Sequence, residues 1–216
     1  MANRELFCEA LDLAATDLVV PDQVHGTCVR AVGASQRGRG ARDPLSALPA
    51  TDGLLTGAPG VALFVSFADC VPVFIAAESA AGEAMIALVH AGWRGMLDGI
   101  IGEAARGLRR NGAAPRAAVV GPSICRRCFS VSDDLGGRFE EAWAGTWREG
   151  RVDLWAAALA QLEAEGLGRE SVLLTGLCTC CDERFFSHRR DGGLTGRQAA
   201  IAWIRAGAEV EPRSGL

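Results

Sequence analysis

Apolar positions recur along this chain in two rhythms, one of helical period and one of short unbroken runs. Leu6, Phe7, Ala10, Leu11 and Leu13 fall at helical spacing, so residues 3–13 predict an amphipathic helix. Asp17 to Val20 follows as a short strand, and TCVRAV reads as a second β-rich stretch after PDQVHG. Residues 34–50, rich in Gly, Arg and Pro, predict a loop. From Val61 come three apolar runs, VALFVSF, VPVFIAA and AMIALVHA. Their length of about seven residues and their β-branched content predict buried strands. Residues 96–111 return to the helical period: Met96, Ile100, Ala104 and Leu108 share a face, with basic residues in the last turn. RAAVVG predicts a strand, 132–145 and 152–165 predict two helices, and SVLLTGL and QAAIAWI predict further strands. Gly166 stands where the second of those helices should end. No repeat period and no linker divides the chain, so the pattern predicts a single α+β (mixed α/β) domain over 1–216, with a mixed sheet and packed helices.

Composition narrows the function classes. With 216 residues and 49% hydrophobic positions, the chain has enough apolar surface for one core. A net charge of −4 offers no footprint for nucleic acid or for an anionic membrane. No apolar run reaches spanning length, and the charged start MANRELFCEALDL has no signal-peptide core, so the expected location is cytoplasmic. In that reducing compartment eight cysteines read as thiols, ligands or nucleophiles rather than disulfides.

Site chemistry gathers at strand ends. His25 stands in DQVHGT after the first strand, Asp69 and Cys70 open the VPVFIAA strand, and His90 and Arg94 close the AMIALV strand in VHAGWRG. Two imidazoles and a thiolate beside small residues make a His₂Cys set, which with a fourth position open suits a catalytic zinc. The separations of 45 and 20 residues match no local zinc motif. The residues alone therefore leave a metal site open beside a turn histidine and a core cysteine.

The motifs DQVHGT, TDGLLT, FADCVPVF, VHAGWRGMLDGI, GPSI, VDLWAAALAQLEAEGL and CTCCDERFFSHRRDGGLTGR occur here in one order, from Asn3-Arg4 to Trp203. Together they resemble the bacterial family labelled multicopper polyphenol oxidoreductase or laccase-domain proteins, whose members act as purine nucleoside phosphorylases that also deaminate adenosine. The resemblance implies a laccase-domain fold akin to that of toxin deamidases. It implies one catalytic zinc held by His25, Cys70 and His90, with purine nucleosides and phosphate as substrates; monomer and dimer stay open. The family ordinarily carries roughly thirty more residues before the Asn-Arg element, so the expectation is either a misplaced start or a missing strand and part of the site wall. IGPCCYEV appears as Ile124 to Val131 (ICRRCFSV), CTYC as Cys178-Thr-Cys-Cys181, and His188 stands where the family has Tyr.

For the chemistry so implied, Asp69 is the first candidate for proton shuttle or for orienting a ligand, with Asp52 second. Arg94 is the first choice for phosphate, because a guanidinium fork matches it at two points; Arg189 and Arg190 come next. Cys125-x-x-Cys128 and Cys178-x-x-Cys181 look like a paired-knuckle zinc site. However, 49 residues intervene and the family's own cysteines account for Cys128, Cys178 and Cys181. Packed free thiols are the expected state, with metal content unchanged on removing Cys125 and Cys178.

Three histidines cannot fill the sites of a multicopper oxidase; a single copper would need Met85 or Met96 as a distant axial ligand. Neither H-x-E nor P-C-x-x-C is present, which disfavours cytidine-deaminase chemistry. Two further readings use no metal: a cysteine hydrolase with Cys70 as nucleophile and His90 as base, and a non-catalytic binding protein.

Overall fold

The three apolar runs and TDGLLT build the centre of the molecule, seen in a computed structural model that describes residues 2–205. Strands β1 (Leu18–Val19), β2 (Val29–Ala31), β3 (Gly53–Thr56), β4 (Ala62–Phe67), β5 (Val71–Ser79) and β6 (Ala84–Ala91) come first. They are followed by β7 (Ala113–Val120), the hairpin β8 (Trp147–Arg148) and β9 (Arg151–Val152), β10 (Val172–Leu174) and β11 (Gln198–Ala202). The helices are α1 (Ala2–Glu9), α2 (Trp93–Leu97), α3 (Ile100–Arg110), α4 (Asp133–Ala142) and α5 (Leu154–Ala164). A six-stranded mixed sheet runs β10-β7-β5-β6-β3-β2, and a three-stranded sheet runs β1-β4-β11.

Side-chain alternation along β5 and β6 decides what each face of the large sheet covers. Val71, Val73, Ile75, Ala87, Val89 and Ala91 face α3 and α5, packing with Ile101, Leu108, Ala157 and Leu162. Leu54, Phe74, Ile86 and Leu88 face the other way, onto Val19, Leu63, Val65 and Phe67 of the small sheet. The molecule is thus an α+β domain of helix, sheet and sheet layers, as the pattern implied. Cys8 of α1 packs on the outer face of the small sheet with Leu18, Ala62 and Phe64. Among the described residues no helix is long and apolar enough to cross a membrane.

Four elements differ from the sequence pattern. The helix expected over 96–111 is two helices, because Gly99 takes φ 82° and the D-G pair breaks the first. The first helix stops at Glu9 rather than 13, with Asp12 in the left-handed region at φ 56°. TDGLLT contains β3, a fully buried strand whose run of four is too short to stand out from a loop. The β8–β9 hairpin, two residues a side, carries no period at all. By contrast α5 begins where Asp153 accepts from the Ala156 N–H at 3.0 Å and is followed by Gly166 at φ 81°.

Candidate metal centre

Cys70 and His90 lie at the joined ends of β5 and β6, where Pro72 pairs with His90 and Val71 with Ala91. Their even-numbered parity puts both on the small-sheet face, at the point where that sheet no longer covers it. His25 arrives from the β1–β2 loop in a left-handed conformation, φ 62°, unusual for a side chain of its size. The loop is pinned by Gln23, whose side chain takes the Ser66 N–H and gives its own N–H to Ser66 O, both at 2.8 Å, as a neighbouring strand would.

One buried carboxylate sets the geometry. Asp52 accepts the backbone N–H groups of Val24, His25 and Gly26 at 3.2, 2.9 and 2.8 Å. Its Oδ1 also meets His90 Nδ1 at 2.9 Å, and its carbonyl takes the His90 N–H at 2.7 Å. Held this way, His90 keeps Nε2 for the cluster, the usual carboxylate–histidine arrangement behind a metal. The donor atoms of His25, Cys70 and His90 lie within 4.8 Å of one another. The two imidazoles meet edge to face with centroids 4.9 Å apart. Two nitrogens and a sulfur converging at this range fit a borderline-soft divalent metal, zinc or copper.

Electrostatics agree with a ligand cluster. Burial opposes ionisation of Cys70, but hydrogen bonds from His25 and His90 outweigh it and bring the thiol down to about 7. Burial also disfavours charge on His90, yet its bonds to Asp52 and Cys70 push it up to about 9. Asp52 is held below the usual carboxylate range: burial works the other way, and the His90 and backbone hydrogen bonds prevail.

Close approach needs two glycines of VHAGWRG. A Cβ on Gly92 would stand 2.5 Å from His25 Cδ2 and 3.3 Å from Cys70 Sγ. One on Gly95 would stand 2.5 Å from the Gly26 carbonyl. The turn therefore packs through its backbone against the His25 loop. The Arg94 guanidinium stacks on Trp93 at 4.4 Å and, among the described residues, has no carboxylate partner.

Above the cluster opens a cavity of about 460 Å³, within the range of small-molecule sites. Phe67, Trp93 and Phe129 supply aromatic wall; Arg94, His188, Arg189 and Arg197 supply polar groups.

Of the two acids named as candidates for orienting a ligand, Asp69 first and Asp52 second, it is Asp52 that touches His90. Asp69, at φ 85°, spends its oxygens on Thr179 Oγ1 at 2.6 Å, Ser187 Oγ at 3.1 Å and the Arg189 N–H at 2.7 Å. Arg189 also braces the wall, giving its side-chain N–H groups to Cys128 O and Ser130. Arg190 is tied to Thr179 O, Phe185 O and Asp191, away from the cavity lining. Met96 faces the helix-side core, where Gln161 Nε2 reaches its sulfur at 3.3 Å, and so is no axial neighbour of the cluster. Sequence reasoning missed Arg197, which ends the GGLTGR motif just before β11, and the cavity place of Phe129 in the ICRRCFSV segment. The four cysteines of the two C-x-x-C pairs, expected as packed thiols on the strength of their separation, also converge within 4.8 Å.

Layers and cluster together define a mixed-sheet α+β protein with a candidate metal centre. The chain belongs to the family described as multi-copper polyphenol oxidoreductase laccase, whose model matches residues 1–205. It is 37% identical over 212 residues to the purine nucleoside phosphorylase YlmD of Geobacillus stearothermophilus, spanning 92% of this chain and 76% of that protein. It is 34% identical over 219 residues to a purine nucleoside phosphorylase of Deinococcus radiodurans, spanning 98% and 81%. The crystal structure of the Geobacillus YlmD superposes with a TM-score of 0.88 at 36% identity, covering 94% of this chain and 79% of that one. The Bacillus licheniformis hypothetical protein YfiH superposes at 0.85 with 30% identity, covering 94% and 80%.

Proposed function

We propose that this chain is a zinc-dependent purine nucleoside phosphorylase acting on adenosine, inosine and related nucleosides, and that it also deaminates adenosine. The observation that carries the reading is the convergence of His25, Cys70 and His90 beneath a cavity walled by Arg94. The names of the relatives support the phosphorylase part. Zinc in this site would supply a Lewis acid and lower the pKa of water toward neutrality. His25, Cys70 and His90 hold the ion, and Asp52 fixes the His90 tautomer. Arg94, stacked on Trp93 and free of carboxylates among the described residues, receives phosphate by its planar fork. Phe67, Trp93 and Phe129 offer apolar faces to the purine. Asp69 acts by position, holding the Arg189 and Ser187 segment against the cavity. The proposal includes a cytoplasmic setting, where all eight cysteines stay reduced, without disulfides.

The test is to incubate zinc-loaded protein with adenosine, with and without phosphate, and to separate adenine, inosine and hypoxanthine. Adenine that forms only with phosphate, and inosine that forms without it, are the expected products. No turnover of either kind overturns the proposal.

One observation favours a second reading. Cys70, His90 and Asp52 also line up as a nucleophile, its base and an orienting acid, with the thiol near 7. A metal-free cysteine hydrolase keeps its activity in chelator and loses it to thiol alkylation; a zinc enzyme stops in chelator.

A further inference from the structure

The loops that follow β7 and β10 carry Cys125-x-x-Cys128 and Cys178-x-x-Cys181. These two strands are parallel neighbours, with Val120 beside Leu174, and the pairing continues in a bridge between Ser123 and Cys178. Parallel neighbours require a long crossover, supplied here by α4, the β8–β9 hairpin and α5. The 49 residues between the pairs hold most of that crossover and β10 itself, and the spacing of local paired-knuckle motifs does not apply. At the shared strand ends the pairs face each other. All four sulfurs lie within 4.8 Å of one another, with Cys125 to Cys181 at 3.9 Å and Cys128 to Cys181 at 3.3 Å. Zinc–sulfur bonds of about 2.3 Å in tetrahedral array put sulfurs roughly 3.8 Å apart, so the quartet needs only small adjustments to close on an ion.

Two more features suit thiolates rather than packed thiols. The backbone N–H groups of Cys125 and Cys181 both point at Cys178 Sγ, at 3.3 and 3.4 Å, an arrangement that stabilises a thiolate there. Arg126, Arg127 and Arg151 line the shallow cavity beside Cys125 and Cys178, offsetting the net negative charge of a tetrathiolate site. We propose that Cys125, Cys128, Cys178 and Cys181 bind a second, structural zinc ion, distinct from the His25–Cys70–His90 centre. Four protein ligands leave no open position, so this ion does no chemistry. It braces the wall of the catalytic cavity: Thr179, inside the second pair, holds Asp69 beside Cys70, and Cys128 O holds Arg189. The proposal reverses the expectation that removing Cys125 and Cys178 leaves metal content unchanged.

The test counts metal per chain on protein purified under reducing conditions with zinc present, for wild type, His90→Ala, Cys181→Ser and Cys180→Ser. Cys181 is exposed, so its replacement disturbs packing least. Wild type should hold two zinc ions, Cys181→Ser one and the Cys180→Ser control two. The Cys181 result is independent of the catalytic centre: if His90→Ala loses no zinc, the proposed function is at fault and not the quartet. Cobalt loaded into His90→Ala should give the intense sulfur-to-metal absorption of a tetrathiolate site, which decides the matter even if Cys181→Ser fails to fold. Unchanged zinc in folded Cys181→Ser overturns the proposal. So does a native disulfide within the quartet, found by alkylation before reduction, and so does iron in place of zinc.

Discussion

In the proposed function Arg94 and Asp52 divide the work of the site between substrate and metal. If Arg94 serves phosphate, Arg94→Ala removes a charge-assisted contact worth about 1.5–3 kcal/mol, or roughly 10- to 150-fold in phosphorolysis. Deamination and zinc content should change little, and Arg94→Lys should recover only part. Measuring both rates and the metal on one preparation decides it: a parallel fall of all three returns Arg94 to a scaffold role. Asp52→Asn should act on metal instead, weakening zinc binding by about 10- to 100-fold, as replacement of a ligand's carboxylate partner does. Zinc retained at wild-type affinity in competition with a chelator would remove Asp52 from that role. The same residues set a pH dependence. Zinc takes Cys70 as thiolate and His90 uncharged, and protons compete at about 7 and about 9 respectively. Zinc affinity at this centre should therefore rise with pH up to about 9 and then level, as read from competition titrations; affinity independent of pH would contradict the proton competition. In metal-free protein the sign is opposite. His90, raised in the folded state, stabilises fully below about 6.5, and that contribution is lost as pH climbs through about 9.

At the scale of elements, two glycines that flank α2 test different things. Gly92 precedes the helix at φ −68°, open to any residue, but its missing Cβ makes room for His25 and Cys70. Gly99 follows at φ 82° with no heavy atom near its absent Cβ. Gly92→Ala should displace the His25 loop and abolish zinc at the catalytic centre while the sheets stay folded. Gly99→Ala should lower stability by about 1–2 kcal/mol through the left-handed backbone alone and leave that zinc in place. Thermal melts with metal analysis on the two variants give the comparison, and zinc retained in Gly92→Ala would mean the loop has slack the packing does not show.

For the whole molecule the issue is whether helix, sheet and sheet layers unfold together. Ile101 belongs to the helix-side core and Leu63 to the core between the sheets, and both are fully buried. Ile101→Ala and Leu63→Ala should each cost about 2–5 kcal/mol, and the costs should add because the large sheet separates the sites. Circular dichroism and tryptophan fluorescence should report one coincident denaturant transition. The tryptophans Trp93, Trp143, Trp147 and Trp155 pack on the helix-side core, whereas Trp203 packs on the outer face of the small sheet. Separate transitions would divide the layers into independent units.

Much of this was legible along the chain. The runs of β4, β5 and β6, the face of α3, the extent of α5 and the glycine after it follow from local periodicity and capping, because side-chain direction is set by the backbone within a few residues. So does the collection of His25, Cys70 and His90 at loops and strand ends, which the motif order of the family tied together. Other features required the sheet order. Asp52 rather than Asp69 reaches His90, although both acids flank strands, because β3 is the hydrogen-bonded neighbour of β6 and Asp69 turns toward the 179–189 loops. The cysteine pairs meet because β7 and β10 are adjacent, which no spacing within either pair encodes. Local chemistry belongs to the sequence by itself; partnership between residues far apart is decided by which strands the fold sets side by side.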